Sequence, residues 1–302
     1  MAYTDKTLLW GKARTSLYFG LITVLSVSFF GGIGYQFSST QFGITSPTGM
    51  RWLQFSISLG LFLMPPLFLA QFASNQPLTF LGIRKLPTFL SASYARKNAK
   101  PLPPTYFTYI ALFLISFGGF FAIDLLAHLN YGLARFDWAQ SFVEQEEQMA
   151  ALTATFLSNM TPAVLLANFL VMVLLPAVGE EFFFRGVVQK LLQRSLAYPV
   201  AVLFTALFFA LVHQQPLSML PIFFMGLIFG YVKIWTGSLW APVLLHLINN
   251  AYALLSVYIT GEMQAASELA YNPWGLFGLI PLIIGLRWMR SINHQHTAWL
   301  RQ

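Results

Sequence analysis

Two adjacent carboxylates and an arginine stand inside an apolar stretch of this sequence, at Glu180, Glu181 and Arg185. Glu181 and Arg185 are four residues apart, so on a helix they share a face and can form an ion pair. Glu180 projects about 100° away from that face and has no ionic partner within its own helix. A carboxylate placed in this way can act as a general base toward water. We predict that Arg185 holds Glu181 charged and that Glu180 carries the chemistry, the alternative being a structural pair with a spare acid.

Two histidines in other apolar segments could complete a hydrolytic site with these acids. His213 ends the apolar run that begins at Phe209, and His246 is followed four residues later by Asn250 on the same helix face. A neutral imidazole can orient water or bind a metal ion, and donors such as His246 and Asn250 can stabilise a developing oxyanion. Taken singly, each histidine also fits a packed or interfacial residue. An all-apolar bundle has no structural need for the whole set, which favours a catalytic site.

Very few charged residues surround these candidates, and their scarcity identifies the elements that position the site. Of 302 residues, 57% are hydrophobic and 9% are charged, whereas about a quarter of the residues of soluble proteins are charged. This composition excludes a disordered chain and an ordinary soluble enzyme, and it predicts a polytopic membrane protein. Cysteine is absent, so disulfides, Cys metal ligands and thiolate nucleophiles are excluded as well.

We predict an all-α bundle of about eight membrane-spanning helices, because a bilayer core of about 30 Å needs about 20 apolar residues per helix. The predicted spans are 15–37, 52–73, 106–128, 161–196, 199–213, 218–235, 239–259 and 273–291. Lys and Arg concentrate in the N-terminal arm, in the 74–105 loop and after the fourth, sixth and eighth spans. Cytoplasmic loops are rich in these residues, so both termini are predicted to be cytoplasmic. The same bias explains the net charge of +7 without a nucleic-acid partner.

Three short motifs, in chain order, resemble those of the CPBP intramembrane proteases, which include the type II CAAX prenyl endopeptidases and bacterial bacteriocin-processing and self-immunity proteins. The family pattern is Glu-Glu-x-x-x-Arg, then Phe-x-x-x-His, then His-x-x-x-Asn. The matching residues are Glu180, Glu181, Phe184, Arg185 and Gly186, then Phe209 and His213, then His246 and Asn250. Each motif alone is weak, but the ordered set over about residues 176–255 is specific. Residues 1–160 match no motif of the family.

The resemblance implies an eight-helix fold whose active-site cavity lies within the membrane and opens toward the cytosol. It implies that Glu180 activates the attacking water together with His213. It also implies that His246 and Asn250 stabilise the tetrahedral oxyanion, while Glu181 and its arginine partner order the first motif. The same interpretation divides the chain into three parts: N-terminal membrane helices at 1–160, a catalytic core at 161–291 and a cytoplasmic tail at 292–302.

Cofactor use is left open by the residues themselves. Glu180, His213 and His246 could together bind zinc, but they lack the usual spacing of zinc ligands on one helix. We favour a glutamic mechanism without a cofactor, with zinc as the alternative.

The function that these observations favour is an integral, multi-pass membrane endopeptidase, in the inner or plasma membrane if the source is bacterial. Its partners would be the lipid bilayer and a membrane-associated, prenylated or precursor peptide, with no nucleic acid. One alternative is a proton-coupled transporter in which the acids and histidines relay protons. Another is a catalytically idle immunity protein of the same fold.

Overall fold

The computed structural model of the protein describes residues 5–84, 105–261 and 275–294. These residues are helical or lie in short connections, and the only extended pairing among them is an isolated antiparallel bridge between Asp5 and Ser74. The prediction of an all-α fold is confirmed. Most of the basic 74–105 loop and most of the predicted tail, 292–302, lie outside the described residues.

We number the helices of the described residues in chain order. The first four are α1 Thr7–Trp10, α2 Lys12–Gln41, α3 Pro47–Ala73 and α4 Pro77–Leu81. The next four are α5 Thr105–Tyr131, α6 Gln140–Phe156, α7 Pro162–Leu192 and α8 Tyr198–Val212. The last three are α9 Met219–Thr236, α10 Trp240–Thr260 and α11 Gly275–His294. Short 3-10 turns at Gly132–Arg135, Asp137–Ala139 and Pro216–Ser218 lead into α6 and α9.

Six helical segments of the described residues are long and apolar enough to cross a membrane, which makes the chain an integral, multi-pass membrane protein. They are Lys12–Gln41, Pro47–Ala73, Phe107–Arg135, Pro162–Leu192, Pro216–Thr236 and Trp240–Thr260, and they correspond to six predicted spans. The predicted span 199–213 corresponds to α8, whose 15 residues extend about 22 Å, less than the bilayer core. The predicted span 273–291 corresponds to α11, which is not among the six. The count of eight and the cytoplasmic termini stay predictions.

Prolines explain two widened turns in the long helices. A π-helical turn at Leu59–Leu63 precedes Pro65 in α3, and another at Phe169–Leu174 precedes Pro176 in α7. Proline has no N–H to donate, and its ring crowds the carbonyl group one turn earlier, so the helix widens before it. A second π-helical stretch in α7, Phe182–Val188, directly follows the paired acids. Such local widening is frequent at functional sites.

Close packing of α8 and α9 depends on two glycines. The four-residue spacing of Gly226 and Gly230 predicts close helix contact. A Cβ atom at Gly226 would lie 3.0 Å from Cα of Ala206, and one at Gly230 would lie 2.8 Å from a methyl group of Val202. Both distances are too short for an ordinary van der Waals contact of a Cβ atom, so a larger residue would push the two helices apart. The predicted role of the glycines in close packing is therefore confirmed.

Contacts near the chain start define one end of the bundle, which we call the N-terminal face. Asp5 bridges to Ser74 at the end of α3, and its carboxylate lies 3.3 Å from Nζ of Lys190 near the end of α7. The backbone N–H of Leu239, just before α10, donates to the carbonyl of Gly82. The ends of α3, α7 and α9 and the start of α10 therefore meet on this face.

The other end of the bundle, which we call the opposite face, is held together by polar side chains. Arg51 near the start of α3 donates to the amide oxygen of Asn168 in α7 and to the carbonyl of Phe156 in α6, at 2.7 and 2.6 Å. Asn130 near the end of α5 donates to the carbonyl of Pro216, just before α9. The helix ends opposite to those of the N-terminal face therefore converge here, covered by α6.

Candidate active site

The paired acids and the arginine of α7 lie buried in the middle of the bundle. Nη1 of Arg185 lies 2.8 Å from Oε1 of Glu181, and both side chains are fully buried. Its second guanidinium nitrogen donates to the carbonyl of Gly226 in α9 at 3.0 Å. The guanidinium also lies over the rings of Phe209 and Phe229, 4.6 and 5.2 Å from their centroids, which stabilises a buried cation. The predicted pairing of Glu181 with Arg185 is therefore present and is anchored to a second helix.

His246 of α10 is oriented by the same carboxylate. Its Nδ1 lies 3.1 Å from Oε1 of Glu181, and its ring stacks on Phe229 with 5.2 Å between the centroids. A carboxylate paired with Arg185 can only accept, so Nδ1 of His246 carries a proton and donates it. The other ring nitrogen, Nε2, then points toward Glu180, with 4.0 Å between Nε2 and Oε2.

His213 approaches Glu180 from the end of α8. Its Nδ1 lies 2.7 Å from the backbone carbonyl of Phe209 and must donate to it, because a carbonyl only accepts. Its Nε2 lies 3.9 Å from Oε2 of Glu180. Within the described part of the chain, this buried carboxylate oxygen makes no hydrogen bond. Three helices thus bring Glu180, His213 and His246 together, at separations that one bridging water molecule spans.

These residues adjoin a cavity of about 510 Å³. His213, His246 and Asn250 line it together with Phe209 and Phe229. Asn250 lies one helical turn beyond His246 on α10, as the spacing predicts, and its amide is 3.5 Å from the carbonyl of Met172. The rest of the wall is mainly apolar and includes Tyr131, Met149, Leu217, Ile222 and Met225. All six predicted site residues therefore lie in or beside one cavity.

The turn after His213 is held by residues that the sequence did not single out. Gln214 adopts a left-handed φ of 54°, which costs a residue other than glycine on the order of 1–3 kcal/mol. Gln145 of α6 donates to its carbonyl, and Glu146 accepts hydrogen bonds from the backbone N–H and the hydroxyl of Ser218. The sequence predicts that residues 129–160 form a connection between two membrane spans, and no motif in it indicates that α6 would support the site.

The separations of the three candidate zinc ligands are longer than those of an assembled zinc site. Among residues 5–84, 105–261 and 275–294, no group of three or more His, Asp or Glu side chains is arranged to hold a metal ion. Zinc ligands lie about 2.0–2.2 Å from the metal, so neighbouring ligand atoms are about 3.3 Å apart in a tetrahedral site. Oε2 of Glu180 is 3.9 Å from His213 and 4.0 Å from His246. The mechanism without a cofactor stays a prediction.

Comparison with known protein families gives a match over the part of the chain that contains the candidate site residues. Residues 162–252, which contain all six site residues, match the family described as Type II CAAX prenyl endopeptidase Rce1-like. This match confirms the resemblance that the ordered motifs indicated.

Two curated relatives are similar to part of the chain. One is the Membrane-embedded CAAX protease MroQ of Staphylococcus aureus (strain USA300), 30% identical over 106 residues, or 32% of this chain and 42% of that protein. The other is an uncharacterized 24.3 kDa protein of Escherichia coli, 30% identical over 109 residues, or 34% of this chain and 50% of that protein. The chain therefore spans half or less of the length of these relatives. No solved structure matches the chain.

Proposed function

We propose that the chain is an intramembrane endopeptidase, because residues 162–252 of this multi-pass membrane protein match the family described as Type II CAAX prenyl endopeptidase Rce1-like. It hydrolyses a peptide bond of a membrane-associated, prenylated or precursor peptide with water activated by Glu180. The observation that carries the proposal is the meeting of Glu180, His213 and His246 from three helices beside one cavity.

Glu180 and His213 would position and activate the water. Nδ1 of His213 is committed to the carbonyl of Phe209, so Nε2 has a lone pair that can accept one hydrogen of the water. Oε2 of Glu180 accepts the other, since it has no competing hydrogen bond among the described residues. The water oxygen then attacks the carbonyl carbon of the scissile bond while its proton passes to Glu180.

His246 and Asn250 would stabilise the oxyanion of the tetrahedral intermediate. When Nε2 of His246 also carries a proton, the buried set of Glu180, Glu181, Arg185 and His246 has no net charge, which lowers the cost of burying it. Nε2 and the amide of Asn250 can then both donate to the oxyanion from the cavity wall. Glu180 finally returns the proton to the leaving nitrogen as the C–N bond breaks, giving a carboxylic acid and an amine.

The test compares Glu180→Gln with the wild type in liposomes. The probes are two fluorogenic peptides of the same apolar sequence, one ending in a prenylated cysteine and one unmodified, together with a peptide mixture from membrane proteins analysed by mass spectrometry. We expect the wild type to generate new peptide ends and Glu180→Gln to be slower by at least about 100-fold. Glu144→Gln is the matched control, because Glu144 is exposed and lies outside the cavity.

Other outcomes decide between the alternatives. Equal cleavage by Glu180→Gln and the wild type would refute the proposed role of Glu180. Loss of cleavage on addition of a strong zinc chelator would contradict the metal-independent mechanism. Proton flux that depends on Glu180, without cleavage of any probe, would favour the transporter. The absence of both cleavage and proton flux would favour the idle immunity protein.

A further inference from the structure

The cavity beside the candidate site reaches the surface at the opposite face of the bundle. Its walls come from the end of α5, from residues 143–153 of α6 and from residues 215–225, which lead into and begin α9. Among the described residues, none of the wall residues belongs to the helix ends of the N-terminal face. A peptide would therefore reach His213 from the side that α6 covers.

Toward the N-terminal face, the site is closed by packed side chains. Phe209, Phe229 and His246 form the floor of the cavity. Below them, Arg185 donates to the carbonyl of Gly226, and Gln189 donates to the carbonyl group one turn further along α9. Arg185 and Gln189 are almost completely buried. Entry of a peptide from this side would require α7 and α9 to separate.

The charges at the two faces differ sharply. The end of α11 lies at the N-terminal face, because Trp288 contacts Phe107 near the start of α5. Nine basic residues and one acid of the described chain lie at this face: Lys6, Lys12, Arg14, Arg84, Lys190, Arg194, Lys233, Arg287 and Arg290, with Asp5. Two basic residues and four acids lie at the opposite face: Arg51 and Arg135, with Asp137, Glu144, Glu146 and Glu147. Lys and Arg accumulate on the cytoplasmic side of membrane proteins. By this rule the N-terminal face is expected to be cytoplasmic, and the cavity then opens on the other side.

We infer that the active-site cavity opens to the extracytoplasmic side of the membrane and takes a peptide segment presented there. Only one part of this inference rests on the proposed function, namely that the bound peptide is a substrate; the side on which the cavity opens does not depend on it. It departs from the cytosolic opening that the family resemblance implies, because in this chain the cavity mouth and the basic residues lie on opposite faces. The substrate class is then a secreted or membrane-anchored peptide whose scissile bond has already crossed the bilayer or lies in its outer half.

The wall of the cavity restricts the chemistry of this peptide. Its hydrophobic side chains, including Met149, Ile222 and Met225, favour an apolar segment. Glu146 and Glu147 are the acidic residues of the wall, within the described chain. Glu146 is engaged with the turn before α9, whereas Glu147 is exposed at the rim. An apolar peptide flanked by basic residues therefore fits better than one flanked by acids.

The orientation can be tested without any catalysis, so failure here is distinguishable from failure of the proposed protease activity. The chain contains no cysteine, so a single introduced cysteine reports its own accessibility to a membrane-impermeant maleimide. Glu147→Cys marks the rim of the cavity and Arg290→Cys marks the N-terminal face, and both positions are exposed. Glu144→Cys and Lys12→Cys form a second pair in case either variant fails to fold.

We expect Glu147→Cys to be labelled in right-side-out vesicles and Arg290→Cys only in inside-out vesicles, with both labelled after permeabilisation. The reverse pattern, or labelling of both positions from the same side, would overturn the inference.

The chemistry of the occupant is tested by protection of a cysteine within the cavity. Asn249→Cys lies on the cavity wall, and a bound peptide should slow its labelling in right-side-out vesicles. The probes are two synthetic peptides with one apolar core, flanked by lysines or by glutamates. We expect the lysine-flanked peptide to protect at about threefold lower concentration, and Glu147→Gln, but not Glu144→Gln, to remove the difference. Equal protection by both peptides would overturn the preference for basic flanks.

Discussion

His246 and Glu181 are 65 positions apart in the sequence, yet Nδ1 of the histidine lies 3.1 Å from Oε1 of the acid. The same oxygen lies 2.8 Å from Nη1 of Arg185. One carboxylate therefore fixes a cation on its own helix and an imidazole on another. This arrangement leaves Nε2 of the histidine directed at Glu180, which has no such support. The two adjacent acids consequently differ in what their removal should do.

Neutralising the two acids should have different effects on stability. Glu181→Gln leaves the buried guanidinium of Arg185 without a counter-charge, so we expect a loss of about 3–5 kcal/mol in the free energy of unfolding. Glu180→Gln removes a buried carboxylate whose Oε2 makes no hydrogen bond in the described chain, so its melting temperature should equal or exceed that of the wild type. Both variants should lose activity. Thermal unfolding in one detergent measures the difference, and a Glu180→Gln protein as unstable as Glu181→Gln would contradict the assignment.

Gly226 should be intolerant of even one added carbon. The new Cβ in Gly226→Ala would lie 3.0 Å from Cα and from Cβ of Ala206, so α8 and α9 must separate. We expect a loss of about 1–3 kcal/mol and weaker activity, because the carbonyl that accepts from Arg185 also moves. Gly20→Ala is the control, since a Cβ there meets no atom within 4 Å. Equal melting temperatures of the two variants would show that the helices are not in close contact.

Asp5 should make the anchoring of the N-terminal arm depend on pH. Burial alone raises the pKa of Asp5, but hydrogen bonds from Thr7 and the charge of Lys190 outweigh it and hold the pKa below the ordinary value of 3.8. An acid with a lowered pKa stabilises the folded state above its unfolded pKa, and this contribution is lost as the pH falls through the folded value. Asp5→Asn should therefore be less stable than the wild type at pH 7. The difference should shrink at pH values below about 4, and a difference independent of pH would contradict the role of the charge.

Glu146 should control the order of the turn that follows His213. Its carboxylate accepts from the backbone N–H groups of Leu217 and Ser218, at 2.6 and 3.1 Å. The hydroxyl of Ser218 is a third donor. Glu146→Gln replaces these three charge-assisted hydrogen bonds by weaker neutral ones, and we expect local destabilisation of about 1–2 kcal/mol. Faster hydrogen exchange of residues 214–220 would report it, with Glu144→Gln as the unchanged control. Unaltered exchange would mean that α6 covers the cavity without holding this turn.

Parts of the site could be predicted because they depend on a single helix. The spacing of Glu181 and Arg185 predicted their ion pair, and the spacing of Gly226 and Gly230 predicted close packing. The supporting roles of Asn130, Gln145 and Glu146 could not be predicted in this way. Their partners lie 69 to 90 residues further along the chain, and polar residues in a connection carry no periodic pattern that identifies such partners.

The sequence by itself determined the membrane location, the helical class and the neighbours within one turn, because composition and helical periodicity act locally. Only the tertiary structure decided which nitrogen of each histidine faces Glu180, since Glu181 and the carbonyl of Phe209 occupy the other. It also decided on which face the cavity opens. Charge along the chain predicts which helix ends are cytoplasmic, but the packing of α6, α8 and α9 determines where a gap between helices remains.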